Sequence, residues 1–334
     1  MRDQKPKALF EYYMTKARIT YGIIGIVLII LPFGMPDYYL HLMVMAGISS
    51  IMALSLGLLV GYLGLVSFCQ AAFYGIGAYT SALLTLHLHL SFWLALPVSS
   101  LVATFFGVII GYPSLKTKGP YFSIITLGFG QIMSLIFVNW VGLTRGSQGM
   151  SGIPSPGALV FPLLGTVSFK AKIPYLFLVL LILAVTFFFI RKLLSSHLGR
   201  SLMAIRENEI LAEAVGIRAM KYKLMAFMIS TFFAGLAGSL YAHYFRFISP
   251  VSFTVIQSFE TLINVIFGGA GLLIGPIVGS TVLTIISEGL RMASEYRNTV
   301  YALILLLVIL FLPAGIAGEL KDRLPIRRQS KGDT

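Results

Sequence analysis

Five polar side chains stand inside apolar stretches of the sequence, and their types suit the binding of a small polar solute. A polar group is expensive to bury, so each of these residues either faces a wet cavity or bonds to another helix. Glu260 stands out, because an ionised carboxylate in such a stretch needs a cationic partner, and a zwitterionic solute would offer an ammonium group. Both interpretations, a solute path and interhelical hydrogen bonding, are open for Ser67, Gln70, Gln131, Glu260 and Asn264.

Charged residues recur at helical spacing in the long polar stretch 191–223. Arg206, Glu209 and Glu213 follow one another at i, i+3 and i+7, on one face of a helix predicted for residues 199–216. Much of the opposite face is apolar and consists of Met203, Ala204, Ile210, Leu211, Ala214 and Val215. An amphipathic helix needs a partner for its apolar face, and this partner is either another protein or the membrane surface and the chain's own helices.

The composition of the chain indicates that the elements carrying these residues lie in lipid. Of its 334 residues, 57% are hydrophobic and 11% are charged, and the mean hydropathy is +0.89, which excludes a soluble globular domain. The single cysteine, Cys69, excludes an internal disulfide and a thiolate metal cage. The net charge is +13, but the basic residues lie in short segments between apolar runs, which indicates orientation in a membrane rather than nucleic-acid binding.

Apolar stretches of span length predict an all-α membrane protein, a polytopic bundle of about ten transmembrane helices. The stretch 255–286 is too long for one helix and is interrupted by glycines and Pro276, so we expect two spans joined at residues 268–276. No cleavable signal sequence is evident, so we expect the first span to be retained. The remaining predicted spans are residues 19–34, 40–60, 71–90, 92–112, 121–141, 174–190, 224–245 and 299–312.

Loop charges predict that both termini lie in the cytoplasm, since cytoplasmic loops collect Lys and Arg. With the break at residues 268–276, all four basic clusters of the sequence fall on one side of the membrane. Arg145, Lys170 and Lys172 are exceptions in an external loop. We therefore expect a cytoplasmic leader at 1–18, a first group of spans at 19–190 with an external loop at 142–173, a cytoplasmic segment at 191–223, C-terminal spans at 224–313 and a cytoplasmic tail at 314–334.

Two glycine motifs match each other in spacing. Gly61-Tyr-Leu-Gly64-Leu65 and Gly268-Gly-Ala-Gly271-Leu272 both lie between predicted spans. The match indicates either an internal repeat, as many transporters have, or a coincidence in a glycine-rich membrane protein.

Two other motifs are discounted. His87 and His89 lack a further clustered ligand, so no metal site is expected there. Leu127-Gly-Phe-Gly-Gln131 resembles an ATPase signature in its letters only, because it lies in an apolar span and the chain has no Gly-Lys phosphate loop.

The stretch 199–217 carries a specific resemblance. Gly199-Arg-Ser-Leu-Met-Ala-Ile-Arg-Glu-Asn-Glu-Ile-Leu-Ala-Glu-Ala-Val-Gly-Ile217, followed by Tyr222-Lys-Leu224, resembles the cytoplasmic coupling segment of the LivM-type branched-chain amino acid ABC transporter permeases. The resemblance covers residues 54–318 and includes Gly149-Met-Ser-Gly-Ile-Pro154 and Phe311-Leu-Pro-Ala-Gly-Ile316. The chain departs from the family pattern at Cys69, Gln70, Arg145 and Gln148.

What the resemblance implies is an ABC importer permease with no catalytic residue and no cofactor of its own. In that family the segment fits a cleft on an ATPase subunit, a role that would fall to Gly199, Arg206, Glu207, Glu209, Glu213 and Gly216. The implied partners are a second related permease, two cytoplasmic ATPase subunits that hydrolyse ATP, an extracytoplasmic solute-binding protein and the lipid of a bacterial inner membrane. The implied solutes are leucine, isoleucine and valine, with urea or an amide as the nearest alternative.

The main alternative function is an ion-coupled secondary transporter. It would use Glu260 as a proton or sodium site, would need no ATPase and would take up solute as this chain alone. A membrane-embedded enzyme would require a compact set of polar groups at one bilayer depth, and the sequence shows none.

Overall fold

The computed structural model describes residues 31–117, 119–161, 165–289 and 303, and these are mostly helical. The chain divides into two compact units, residues 1–41 and 42–334. The described part of the first unit is a 3-10 turn, Leu31–Gly34, and the beginning of the first long helix. The second unit contains the rest of that helix and all later elements.

The helices follow one another through short connections, with one longer excursion between the fifth and the sixth. They are α1 (Asp37–Gly57, continued by a π-helical turn, Leu58–Leu63), α2 (Gln70–His87), α3 (Phe92–Ser114), α4 (Pro120–Asn139), α5 (Val141–Thr144), α6 (Lys172–Ser195), α7 (His197–Glu207), α8 (Glu209–Ala214), α9 (Ala219–Phe245), α10 (Val255–Gly268) and α11 (Gly275–Gly289). Two 3-10 turns, Gly146–Gln148 and Pro250–Phe253, lie in the connections.

Two short antiparallel ribbons lie among these connections. β1 (Met150–Ser151) pairs with β4 (Phe247–Ile248), so that Met150 stands opposite Ile248. β2 (Leu159–Phe161) pairs with β3 (Gly165–Val167). The first ribbon ties the excursion before α6 to the carboxyl end of α9.

Five helices in the described residues are long and apolar enough to cross a membrane: Asp37–Leu63, Phe92–Ser114, Pro120–Asn139, Lys172–Ser195 and Ala219–Phe245. Each coincides with a predicted span, and the predicted break at 268–276 is confirmed, because α10 ends at Gly268 and α11 begins at Gly275. The count of about ten spans stays a prediction. Its first and last members, 19–34 and 299–312, lie outside the described residues apart from Leu31–Gly34 and Leu303.

The core is built where α2 and α9 cross. A Cβ added to Gly77 would lie 2.1 Å from the carbonyl oxygen of Gly235, and a Cβ added to Gly238 would lie 1.9 Å from the carbonyl oxygen of Tyr74. Only glycine therefore allows the two helices to come this close. The outward faces of α3, α4 and α6 expose large apolar side chains, among them Phe105, Ile124, Leu181 and Phe188. Such faces suit contact with lipid.

The prediction of a single helix for residues 199–216 is wrong in one respect, because the structure has two helices there. Asn208 is extended between α7 and α8, with φ −159° and ψ 108°. Its side-chain Oδ1 accepts a hydrogen bond from the Leu211 N–H at 3.0 Å, which makes it the N-cap of α8. The first helix also starts earlier than predicted, because Ser196 caps α7.

The predicted end at Gly216 is confirmed. Gly216 has φ +89° and its N–H donates to the carbonyl oxygen of Glu213, while the Ile217 N–H donates to that of Ala212. This pair of hydrogen bonds is a Schellman motif, in which glycine adopts the left-handed conformation without steric cost.

Candidate functional site

The outward face of α8 is both apolar and acidic. Ile210, Leu211 and Val215 are 74%, 65% and 74% exposed. Glu213 is exposed among them, and Glu207 is exposed at the end of α7. Within the described part of the chain, neither carboxylate has an ion-pair partner. Exposed apolar surface of this kind marks a contact site for another protein or for a membrane.

An ion pair anchors α8 to α9. Glu209 begins α8, and its Oε2 lies 2.5 Å from Nζ of Lys223, whose side chain is only 7% exposed. A buried ammonium group must be paired, because its desolvation is otherwise uncompensated. Glu209, which was predicted to couple to an ATPase, therefore holds α8 against the bundle.

Arg206 anchors α7 to the end of α1. Its Nη1 donates a hydrogen bond to the carbonyl oxygen of Gly61 in the π-helical turn. The stem of the side chain passes over Gly64, where an added Cβ would lie 3.1 Å from the Arg206 Cγ. A cation at the carboxyl end of a helix interacts favourably with its unpaired carbonyl groups. Arg206 thus joins the stretch 199–216 to the first long helix.

Gly199 and Gly216 shape the two ends of this stretch. A Cβ on Gly199 would lie 2.2 Å from the carbonyl oxygen of Leu194, so glycine permits the tight turn from α6 into α7. Gly216 ends α8 through its positive φ. Of the six residues predicted for ATPase coupling, the structure therefore turns Glu207 and Glu213 outward and engages the other four within the chain.

The connection between α1 and α2, residues 64–69, is not helical, and neighbouring helices hold its backbone. The hydrogen bonds are Ser123 Oγ to Val66 O at 2.8 Å, Phe68 N to Thr126 Oγ1 at 3.2 Å and, at the first turn of α2, Ala71 N to Ser258 Oγ at 2.9 Å. Irregular backbone is tolerated in a membrane protein only where protein or a wet cavity surrounds it. We call residues 58–69, the π turn with this connection, the first break.

The connection between α10 and α11, residues 269–274, is the second break, and it meets the first. A Cβ on Gly61 would lie 1.9 Å from the carbonyl oxygen of Ala270. α1 and α11 also touch through Ser50 Oγ and Ser280 Oγ, which are 2.6 Å apart. The two glycine motifs that match in sequence are therefore two helix interruptions in direct contact.

Ser67 and Gln70, two of the candidate solute-path residues, are buried at the first break. Ser67 Oγ lies 3.1 Å from Cys69 Sγ. The Gln70 amide Nε2 donates to Ser55 Oγ at 2.5 Å and to Ser230 Oγ at 3.3 Å, on α1 and α9. For Gln70 these contacts favour the interpretation as interhelical hydrogen bonding.

The other three candidates lie on α4 and α10. Glu260 and Asn264 are one helical turn apart on α10, both half-buried, and this helix leads into the second break. Gln131 is exposed on α4, whereas the adjacent Gly130 faces the first break, with its Cβ position 3.0 Å from Phe68 O. The structure therefore brings Glu260 and Asn264 together on one helix and leaves Gln131 on an outer face.

Three residues that hold this region together were not among the predicted site residues. Asn208 carries a readable signal, because asparagine is a preferred N-cap and unfavourable inside a helix. Ser258 and Lys223 carry none, because the hydrogen bond to Ala71 and the ion pair to Glu209 join parts of the chain that are distant or separated by a turn.

With this geometry established, comparisons with known proteins decide the family. The model of the branched-chain amino acid transport system permease component matches residues 38–312. The chain belongs to this family. It is 34% identical over 320 residues to the high-affinity branched-chain amino acid transport system permease protein LivM of Salmonella typhimurium, covering 90% of this chain and 75% of the relative.

Other relatives extend this result. LivM of Escherichia coli is 35% identical over 301 residues, covering 85% of this chain and 71% of its own length. The high-affinity branched-chain amino acid transport system permease protein LivH of Salmonella typhimurium is 26% identical over 289 residues, covering 81% of this chain and 91% of the relative. No solved structure matches the chain significantly. The resemblance inferred from the sequence motifs is confirmed, and the apolar helices are those of a multi-pass membrane permease of this family.

Proposed function

We propose that the chain is one of two permease subunits of an ATP-driven importer of branched-chain, hydrophobic amino acids. Membership of the permease family supports the transport class. The similarity to LivM, and the weaker similarity to LivH, support a complex in which this chain pairs with a second, related permease. An extracytoplasmic solute-binding protein would deliver the amino acid, and two cytoplasmic subunits would hydrolyse ATP.

The observation that carries this proposal is the outward face of α8. Its exposed apolar side chains have no cover in the described residues, while Glu209 and Arg206 hold the segment to the bundle from the other side. A short helix that is fixed on one side and unpartnered on the other is suited to docking in a groove of a second protein. We assign this groove to an ATPase subunit, with Glu213 and Glu207 at its rim.

The arrangement of the connections supports the proposed orientation. The stretch 191–223, which carries many of the basic residues, lies at the same end of the bundle as the two breaks, because Arg206 contacts Gly61 and Gly61 contacts Ala270. Basic segments collect on the cytoplasmic side. We therefore place α7, α8 and both breaks at the cytoplasmic end, and the excursion at 142–171 at the opposite end.

For the solute path we propose α10. Glu260 would pair with the ammonium group of the amino acid, and Asn264 would offer its amide one turn nearer the second break. Discontinuous helices near a substrate path are common in transporters, because a break supplies unpaired backbone groups. The path would open alternately to the two sides as the permease pair changes conformation.

The test is uptake of labelled leucine into vesicles that contain this chain with its second permease, ATPases and binding protein. Glu213→Arg should abolish ATP-dependent uptake and the stimulation of ATP hydrolysis, because it reverses the charge of an exposed carboxylate on the docking face. Arg200→Glu is the matched control, since Arg200 is an exposed charge on α7 that lies outside this face. This control should retain most of the uptake, and both variants should reach the membrane in equal amounts.

One outcome would favour the alternative function. If vesicles with this chain alone accumulate leucine under a proton or sodium gradient, and added ATPases change nothing, the chain is a secondary transporter. In that case Glu260→Gln should abolish uptake while Glu213→Arg leaves it intact.

A further inference from the structure

The carbonyl oxygen of Gly61 depends on a side chain for its hydrogen bond. In the π-helical turn, the N–H groups of Gly64 and Leu65 both donate to the carbonyl oxygen of Leu59. The Gly61 carbonyl instead accepts from Arg206. π-helical turns often mark functional positions in helices, because their wider hydrogen-bond spacing leaves groups free for other partners.

Gly61 is in contact on two sides. Its carbonyl oxygen faces Arg206 of α7, and its Cα faces the carbonyl oxygen of Ala270, with no room for a side chain. Any displacement of Arg206 therefore acts on a position at which both breaks touch. Packed interfaces of this kind shift between discrete arrangements rather than deforming smoothly.

We propose that Arg206 is a positioning residue that carries a displacement of α7 and α8 to the two breaks, and that it does not contact the ATPase. This rests on the proposed function, which supplies the ATPase that displaces α8. Arg206 acts through a charge-assisted hydrogen bond to a backbone carbonyl, so its effect requires both the positive charge and the reach of the guanidinium group.

The single cysteine of the chain reports on the first break. Cys69 is fully buried at the end of the connection 64–69, and burial raises the pKa of its thiol to about 12. A buried, protonated thiol reacts slowly with alkylating reagents, because the thiolate is the nucleophile. Labelling of Cys69 with a small maleimide therefore measures how often the first break opens.

The test compares Arg206→Met, which keeps an apolar stem without charge, with Arg206→Lys and with the control Arg200→Met. In the assembled transporter, Arg206→Met should keep both ATPase subunits bound but lower leucine uptake, and with it the stimulation of ATP hydrolysis by the binding protein, by about tenfold, because the lost charge-assisted hydrogen bond couples α8 and the breaks in both directions. Arg206→Lys should restore part of the uptake, because it keeps the charge. Arg200→Met should behave as wild type.

Labelling of Cys69 separates this inference from the proposed function. In membranes that hold the full-length chain alone, Arg206→Met should raise the labelling rate by about tenfold, whether or not ATP drives transport. If the labelling rate and leucine uptake both match wild type, Arg206 has no positioning role. If Arg206→Met loses ATPase binding together with uptake, Arg206 is a docking contact and the inference is overturned. If even wild type shows no ATP-dependent uptake, the proposed function fails. The labelling rate of Cys69 still shows whether the contact between Arg206 and Gly61 holds the first break closed.

Discussion

The two ends of the helical bundle are held together by different kinds of contact. At the end with α7, α8 and the two breaks, two contacts made by charged side chains attach the segment, Arg206 to Gly61 and Glu209 to Lys223. Buried apolar side chains, Leu202, Ile205 and Ala212, pack beside them. At the other end, a chain of neutral hydrogen bonds fixes the excursion before α6. Its members are Ser239 Oγ to Ser81 Oγ at 2.7 Å, Ser81 Oγ to His243 Nε2 at 2.8 Å and His243 Nδ1 to Pro154 O at 2.7 Å.

The imidazole of His243 has only one consistent arrangement in this chain of bonds. A carbonyl oxygen can only accept, so Nδ1 carries the proton that is donated to Pro154, and Nε2 of the neutral ring accepts from the Ser81 hydroxyl. Ser81 in turn accepts from Ser239. The β1–β4 ribbon adds backbone hydrogen bonds beside it. The side chains of Ser81, Ser239 and His243 are buried, whereas the α8 end exposes large apolar side chains.

The difference indicates at which end of the bundle a conformational change begins. Breaking a charged contact removes a link between α7 or α8 and the helices that form the breaks, whereas breaking a neutral contact at the other end loosens the excursion before α6 locally. We therefore expect substitutions at the α8 end to change the position of the breaks, and substitutions at the other end to act locally.

Gly61→Ala should have the largest effect. The added Cβ would lie 1.9 Å from the Ala270 carbonyl oxygen, and a backbone group cannot rotate away, so we expect a loss of about 3 kcal/mol or more in stability. Gly128→Ala is the matched control, because nothing lies within 4 Å of that Cβ position on α4. Thermal unfolding of the purified chain measures both. Equal melting temperatures would show that the two breaks are not in contact.

Glu209→Gln should come next. It leaves the buried ammonium of Lys223 without a partner, at a cost of about 2 kcal/mol, below the value for a fully buried pair because Glu209 is 39% exposed. Glu213→Gln, at an exposed position on the same helix, should change stability by less than about 0.5 kcal/mol.

A double variant sharpens this prediction. Lys223→Met combined with Glu209→Gln should recover much of the lost stability, because it removes the unpaired charge. If the double variant is as unstable as Glu209→Gln alone, the ion pair does not account for the attachment of α8.

The positions of the long helices could be predicted from the sequence, because hydrophobicity over a span length is a local property. α3 was expected at residues 92–112 and is Phe92–Ser114, and the break before Pro276 follows from glycine and proline. α9 begins at Ala219, before the span predicted at 224–245, because Ala219 to Lys223 include polar residues that carry no span signal although they are helical.

The contacts that make the candidate site could not be predicted in the same way. Arg206 and Gly61 are 145 residues apart, and Gln70 and Ser230 are 160 apart, so neither pairing follows from local spacing. The helical periodicity of Arg206, Glu209 and Glu213 indicated one shared face, but the cap at Asn208 breaks that periodicity. As a result Glu209 turns inward to Lys223 and Glu213 turns outward.

His243→Ala should have the smallest effect and should stay local. It leaves the Pro154 carbonyl without this donor and the Ser81 hydroxyl without this acceptor, at a cost of about 1 to 2 kcal/mol in hydrogen bonding, and it loosens the excursion before α6. Trypsin should then cut at Arg145 and Lys170, both exposed, several times faster than in wild type. His87→Ala, an exposed histidine on α2, is the control and should not change the rate.

The decisive comparison is Cys69 labelling in the same His243→Ala protein. If the two ends are independent, the maleimide rate at Cys69 stays at the wild-type value while the excursion is cut faster, because no contact described for His243 reaches residues 64–69. If the labelling rate rises together with the cleavage rate, the neutral end also sets the position of the breaks. Movement could then enter the bundle from either side, and the contrast between the charged and the neutral attachment would no longer explain which end drives the permease.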